Sequence, residues 1–262
     1  MRSTLLFCSH MKQFLLPRWY AGQTRISISG DDYRYLARVL RLRPGSELPA
    51  VDARGARYVM RLVHVSRSEC KAELSPDGLA APAPGSPSIT LLQCLPKGRK
   101  IDLIIRQATE AGVSRIVLLE SDRSIARASG EENRMSRLEK IAREALQQSG
   151  NPRLPAIEAP RPLASLCDTT EEWGTALFFH QERLSASALH ELLAGPARQI
   201  SILIGPEGGL SPSETGLLAG AGFRPAYLGG AVLRVETAAI YAIAAVQTIL
   251  QEKDSWRAAQ KR

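Results

Sequence analysis

Aromatic residues make up only 5% of the 262-residue chain, so aliphatic side chains must supply most of any buried core. The four cysteines, Cys8, Cys70, Cys94 and Cys167, are far apart and form no C-x-x-C pair. Structural zinc sites and redox dithiols need close spacing, so neither is supported. The thiols read as reduced and mostly buried in a cytoplasmic protein. His10, His64 and His190 have no metal partner at ligand spacing, and no metal is expected. No apolar run approaches the roughly 20 residues of a membrane-spanning helix, so no membrane association is expected. Both G-x-x-x-x-G-K-[ST] and G-x-G-x-x-G are missing, which disfavours a nucleotide-phosphate cradle. No Ser/His/Asp or Cys/His arrangement suggests nucleophilic catalysis.

What is present fits a globular protein: 44% hydrophobic and 23% charged residues, with 34 Lys+Arg against 26 Asp+Glu. The formal net charge of +8 points to a polyanionic partner, although a solvated basic surface would have the same composition. Residues 1–10 lack acids, and their apolar run is too short for a secretory signal. They read as an upstream start before a true beginning near Met11, or as a short disordered extension.

The first folded region, 11–80, is mainly β. Residues 14–29 are extended and end in the alternating Thr24 to Ser29. A helix capped by Asp31 follows, with Leu36, Val39 and Leu40 on its apolar face. Arg34, Arg38 and Arg41, at i, i+4 and i+7, line another side of it, and Arg43 follows. Short strands are predicted over 47–51, 58–66 and 70–74. The Pro-, Gly- and Ala-rich stretch 76–87 reads as a linker, which places a boundary near residue 80.

The second region, 81–262, alternates. Strands are predicted over 89–95, 115–120, 175–180, 199–204 and 225–228. Helices are predicted over 101–111, from Met135 to about Gly150, over 187–193 and over 237–251. Such alternation implies an α/β fold with a mostly parallel sheet.

Two glycine loops stand at the carboxyl ends of predicted strands, where open α/β sheets bind ligands. The first is Ile204-Gly205-Pro206-Glu207-Gly208-Gly209. It leads into Ser211 and Glu214 at capping-box spacing, with Pro212 at the first helical position. The second runs from Leu228 and Gly229 through Leu233, Arg234, Glu236, Thr237 and Ala238 into an apolar helix. A tight turn would need the same glycines, and Arg234 would need a partner, Glu236 or Glu207, if the role were structural. His180 ends a strand and can line a site. Lys97, Arg99, Lys100, Arg115, Arg123 and Arg127 cluster around strand ends, as a phosphate-neutralising surface would.

Several stretches together resemble one family: Arg38 to Gly45, Leu95-Pro96-Lys97-Gly98, Gln107 to Val113, Gln148-Ser149-Gly150, Ile204 to Gly209 and Leu233 to Ala238. They are similar to RsmE-type ribosomal RNA small-subunit methyltransferases of the SPOUT superfamily, from about Met11 to near the C-terminus. The resemblance implies a small N-terminal PUA-like β-barrel for RNA binding and a C-terminal SPOUT domain with a deep trefoil knot. It also implies a homodimer, with S-adenosylmethionine held by the knot loops, and methylation of N3 of a uridine in the decoding region of 16S ribosomal RNA in the small subunit.

By position, the implied cofactor residues are Phe179, His180, Ile204, Gly205, Pro206, Glu207, Gly208, Gly209, Leu228, Gly229, Leu233, Arg234, Glu236, Thr237 and Ala238. Arg234, Glu207 and Glu236 are the candidates for catalysis. Arg34, Arg38, Arg41, Arg43, Lys97, Arg99 and Arg123 are the candidates for RNA contact. The chain departs from the family pattern at Ala231, Val235 and Asn151. Rival readings are a SPOUT enzyme acting on a ribose 2′-hydroxyl or another base, and a non-catalytic RNA-binding or assembly protein.

Overall fold

The alternation in the second strand has the burial its pattern demands: Ile26 and Ile28 are buried, and Arg25, Ser27 and Ser29 are exposed. The computed structural model describes residues 12–78, 87–124, 131–167, 172–196 and 198–259. The expected extension 1–10, most of the expected linker and Arg127 lie outside the described residues. The chain forms two compact units, Met1–Ala83 with Leu146–Leu154, and Pro84–Ala145 with Pro155–Arg262.

The first unit contains β1 (Phe14–Leu15), β2 (Arg25–Ser29), α1 (Gly30–Tyr33), β3 (Glu47–Val51), β4 (Arg57–Val65) and β5 (Glu69–Pro76). The strands form one sheet in the order β1-β3-β4-β5-β2, antiparallel except for the β1–β3 pair. A register shift between Leu62 and His64 marks a bulge, which bends the strand locally. Phe14, Leu16, Ile26, Ile28, Leu36, Leu48, Met60 and Leu62 pack in its core. Gln13 secures the separate segment of the unit. Its side-chain amide donates to the carbonyls of Leu146 (3.0 Å) and Asn151 (2.5 Å), and its backbone N–H donates to Gln147 O (2.8 Å).

The helix after β2 departs from its predicted geometry. Arg34–Val39 winds as a π-helix, with Leu40 N–H donating to Tyr35 O five residues back. The wider turn shifts the faces relative to 3.6-residue winding. Leu36 is buried and Leu40 packs on the core, but Val39 is 68% exposed. Arg41 lies beyond the helix at φ 54°, so it does not continue the Arg34–Arg38 stripe. Ser29, rather than Asp31, occupies the N-cap position.

The second unit begins with β6 (Ser88–Cys94), α2 (Lys100–Glu110), β7 (Arg115–Glu120), α3 (Glu131–Ser149), whose residues from Leu146 on count with the first unit, and β8 (Ala156–Pro162). It continues with β9 (Thr175–Phe179), α4 (Leu189–Leu192), β10 (Gln199–Ile204), α5 (Pro212–Gly220), β11 (Arg224–Ala226) and α6 (Val235–Ala259). Its six strands are all parallel, in the order β11-β9-β10-β6-β7-β8. The continuous apolar runs of β6, β7 and β10 fit strands covered on both faces. Sequence patterning does not reveal β8, whose AIEAPRP has two prolines and little alternation. It occupies the edge of the sheet, where a missing N–H is tolerated. Beside it, Arg115 pairs with Glu158, and the guanidinium groups of Arg115 and Arg161 lie 5.3 and 5.5 Å from the centre of the Trp173 ring.

Candidate active site

The carboxyl ends of β9, β10 and β11 open into one cleft. Register aligns them: Ile204 of β10 stands beside Phe179 of β9, and Ala226 of β11 beside the same Phe179. His180 N–H donates to Ala226 O at 3.1 Å, which holds the exits of β9 and β11 together. From β9 the cleft takes Phe179, His180 and Gln181. From the loop after β10 it takes Ile204, Gly205, Pro206, Glu207, Gly209 and Leu210. From the segment between β11 and α6 it takes Leu228, Gly229, Ala231, Val232, Leu233 and Val235, and Ala238 closes it. The open space is about 730 Å³, including its solvent side.

Eleven of the expected cofactor residues therefore meet here: Phe179, His180, Ile204, Gly205, Pro206, Glu207, Gly209, Leu228, Gly229, Leu233 and Ala238. Gly208, Arg234, Glu236 and Thr237 do not line the cleft. Gln181, Leu210 and Val232 line it without having been singled out from the sequence, and so do Ala231 and Val235, which stood out only as departures from the family pattern. Leu210 and Val235 look like ordinary core positions by pattern. Only the convergence of three strand ends makes them walls.

The loop after β10 is anchored from behind. Gly208 lies against Arg123, where a Cβ would come 3.2 Å from the arginine stem. Arg123 Nη1 donates to Gly208 O at 2.7 Å. Gly209 has φ 69°, a left-handed conformation that costs glycine little. The predicted capping box forms as expected: Ser211 and Glu214 bond reciprocally and Pro212 opens α5.

Glu207 has its own set of donors. Its carboxylate accepts from Lys97 N–H at 3.1 and 3.2 Å and from Lys100 Nζ at 2.7 Å. Partial burial pushes its pKa up, but hydrogen bonds from Lys100 and from the backbone N–H groups of Glu207 and Lys97, with the Lys100 charge, outweigh that and hold it below the ordinary value. Arg234 is therefore not the partner of Glu207. Arg234 is exposed and makes no ion pair among the described residues. Its carbonyl accepts from Ala238 N–H in the first turn of α6. Thr237 stands inside that turn. Glu236 is half-buried, and its Oε2 is enclosed without a hydrogen-bond partner.

The segment 228–233 makes no backbone–backbone hydrogen bond among the described residues, so its amides and carbonyls are open to a ligand. His180 Nδ1 accepts from Glu182 N–H at 3.1 Å, which leaves Nε2 as the outward nitrogen of the ring. The expected RNA-contact cations Arg34, Arg38, Arg41, Arg43, Lys97, Arg99 and Arg123 are all exposed, with Arg34 paired to Asp31. Burial pushes the Cys70 thiol up to about 11 and that of Cys94 higher still, so neither is a nucleophile at neutral pH.

Two family profiles match the chain. The profile described as an RNA methyltransferase domain matches residues 84–247, well over half of the sequence. The chain belongs to the RNA methyltransferase family. A second profile, an RNA methyltransferase PUA domain, matches residues 28–75 within the first sheet.

Relatives agree with this membership. The ribosomal RNA small subunit methyltransferase E of Mycobacterium bovis is 29% identical over 234 residues, covering 87% of this chain and 88% of the relative. That of Aquifex aeolicus is 30% identical over 204 residues, covering 78% and 86%. Among solved structures, the ribosomal RNA small subunit methyltransferase E from Neisseria gonorrhoeae bound to S-adenosyl methionine superposes with a TM-score of 0.82. The two are 29% identical, and the match covers 92% of this chain and 98% of that one. The family member described here thus combines an RNA methyltransferase domain with a PUA domain. No helix among the described residues is long and apolar enough to cross a membrane, and no group of acidic, His or Cys side chains among them is arranged to hold a metal.

Proposed function

We propose that this chain transfers a methyl group from S-adenosylmethionine to N3 of a uridine in the decoding region of 16S ribosomal RNA, acting as a cytoplasmic homodimer on the small subunit. The observation that carries the reading is the cleft wall formed by 228–233. Its main-chain amides and carbonyls make no backbone–backbone hydrogen bond among the described residues, and Leu228, Val232 and Leu233 line the same wall. An adenine ring needs apolar faces together with donors and acceptors at its edge, and this wall offers both. The likeness to the Neisseria enzyme bound to S-adenosyl methionine supports the same assignment.

When bound, the donor presents an electrophilic methyl group on a sulfonium sulfur. The chain's task is to hold the acceptor in line with that methyl group, and positioning of this kind is worth several kcal/mol. A uracil N3 bears a proton, and a neutral imide nitrogen is a poor nucleophile. In this reading Arg234, exposed at the mouth of α6 and unpaired among the described residues, stabilises the developing uracil anion. Glu207 is engaged by Lys100 and Lys97 and its pKa is lowered, so it is a weak proton acceptor. Glu236, close to Arg234 in sequence and in no ion pair among the described residues, is the remaining candidate to take the N3 proton. The exposed cations Arg38, Arg41, Arg43, Lys97 and Arg99 supply phosphate contacts.

Calorimetric titration with S-adenosylmethionine, with ATP as control, tests the cofactor. Nucleoside analysis of methylated small subunits then tests the target. Binding of the methyl donor and formation of N3-methyluridine are expected. A 2′-O-methylated product would replace the proposed target, and a failure to bind the donor with or without subunits would leave an RNA-binding protein.

A further inference from the structure

The glycine loop after β10 has two sides. One side faces the cleft through Gly205, Pro206, Glu207 and Gly209. The other side is held by two cations from separate strand exits. Lys100, in the first turn of α2, donates to the Glu207 carboxylate at 2.7 Å, and Lys97 N–H adds a second bond to the same group. Arg123, just beyond β7, donates from Nη1 to Gly208 O at 2.7 Å and reaches Leu210 O at 3.5 Å. Its stem fills the space that a side chain at Gly208 would need. Asp122 continues the attachment: its carboxylate accepts from Ser211 Oγ at 2.7 Å, and its N–H donates to Glu214 at 2.9 Å. The loop is thus tied at 207, 208, 210, 211 and 214 to the segments that follow β6 and β7.

We propose that Lys100 and Arg123 are positioning residues that clamp the outer side of the 205–210 loop and so set the shape of the donor-binding wall, acting through Glu207 and Gly208 rather than touching the donor. This rests on the reading of the cleft as a methyl-donor site. It moves Arg123 from the phosphate-contact set to the framework of the cleft. It also accounts for Leu95-Pro96-Lys97-Gly98 as the turn that delivers Lys97 N–H and Lys100 to one carboxylate. The compact ammonium and three donors of a lysine, on a flexible stem, suit a single carboxylate. Nη1 of Arg123 serves the Gly208 carbonyl, with the Leu210 carbonyl at the limit of its reach.

The test is calorimetry with S-adenosylmethionine on full-length wild type, Lys100→Met, Lys100→Arg, Arg123→Met, Glu207→Gln and the Lys100→Met/Glu207→Gln double variant. Each is first compared with wild type by thermal melting without ligand. The expected result is roughly tenfold weaker binding for Lys100→Met and Arg123→Met, with partial recovery in Lys100→Arg. The losses in the double variant should be clearly less than additive, as for residues acting through one contact. Affinity for ribosomal RNA and its salt dependence should change little in Arg123→Met, where loss of a phosphate contact would lower the slope by about one. Donor affinity within twofold of wild type in Lys100→Met and Arg123→Met overturns the proposal, as do additive losses in the double variant. If wild type itself does not bind the donor, the cleft assignment fails instead. If Lys100→Met melts far below wild type, Glu207→Gln and Lys100→Arg carry the test, since both keep the bulk of the contact.

Discussion

Ser211 and Glu214 exchange hydrogen bonds at the start of α5: Glu214 N–H donates to Ser211 Oγ at 3.2 Å, and Ser211 N–H donates to the Glu214 carboxylate at 2.8 Å. Glu214 is only 5% exposed and also accepts from Asp122 N–H, so the box seals the end of the glycine loop as well as the helix. Ser211→Ala should cost about 1 kcal/mol, the usual value of a lost N-cap. Glu214→Ala should cost more, about 2 kcal/mol, because it removes the carboxylate that accepts from two part-buried N–H groups, those of Ser211 and Asp122. Urea denaturation of both variants checks the order.

Glu207 predicts a pH effect with a definite sign. Its carboxyl is held below the ordinary value of 4.5, so its stabilising contribution is complete above pH 4.5 and is lost as pH falls through the lowered folded value. Wild type should exceed Glu207→Gln in stability from pH 7 to about pH 5 by a constant margin. The margin should narrow below pH 4.5. A margin that grew on acidification would contradict the Lys100 pairing. Denaturation curves at half-unit intervals measure it.

Gly174 precedes β9 at φ 63°, and a Cβ there would run into Gln199 O at the start of β10. Gly174→Ala combines a left-handed strain of about 1–2 kcal/mol with an overpacking cost of about 1–3 kcal/mol. The β9–β10 pairing should weaken, and amide exchange at Ala176 to Phe178 should accelerate more than in β7.

Arg234→Ala should lower kcat on small subunits by about 10²–10³-fold, the usual effect of removing a group aimed at developing charge. Donor affinity should stay within a few-fold, since the Arg234 side chain does not line the cleft. Steady-state kinetics with a parallel titration separates the two. Near-normal kcat would remove Arg234 from the chemistry.

Patterning alone was sufficient to place β3, β7 and β10 at their observed limits, because each is a short apolar or alternating run bounded by turn residues. It also placed the capping box and the two glycine loops, since those signals lie within a few residues of one another. Local pattern had no means of showing β8, where the proline-rich edge strand carries almost no periodicity, or the π-helical winding that turns Val39 to solvent. Nor did it reveal that Glu207 belongs to Lys100 and not to Arg234. Those partners lie 107 residues apart, at the ends of β10 and near the start of α2. Sequence determined most of the strands and helices and both glycine loops, because those choices are decided by neighbouring residues. Only the tertiary structure decided which charges meet across that loop, because parallel pairing brings distant strand ends to one side of the sheet.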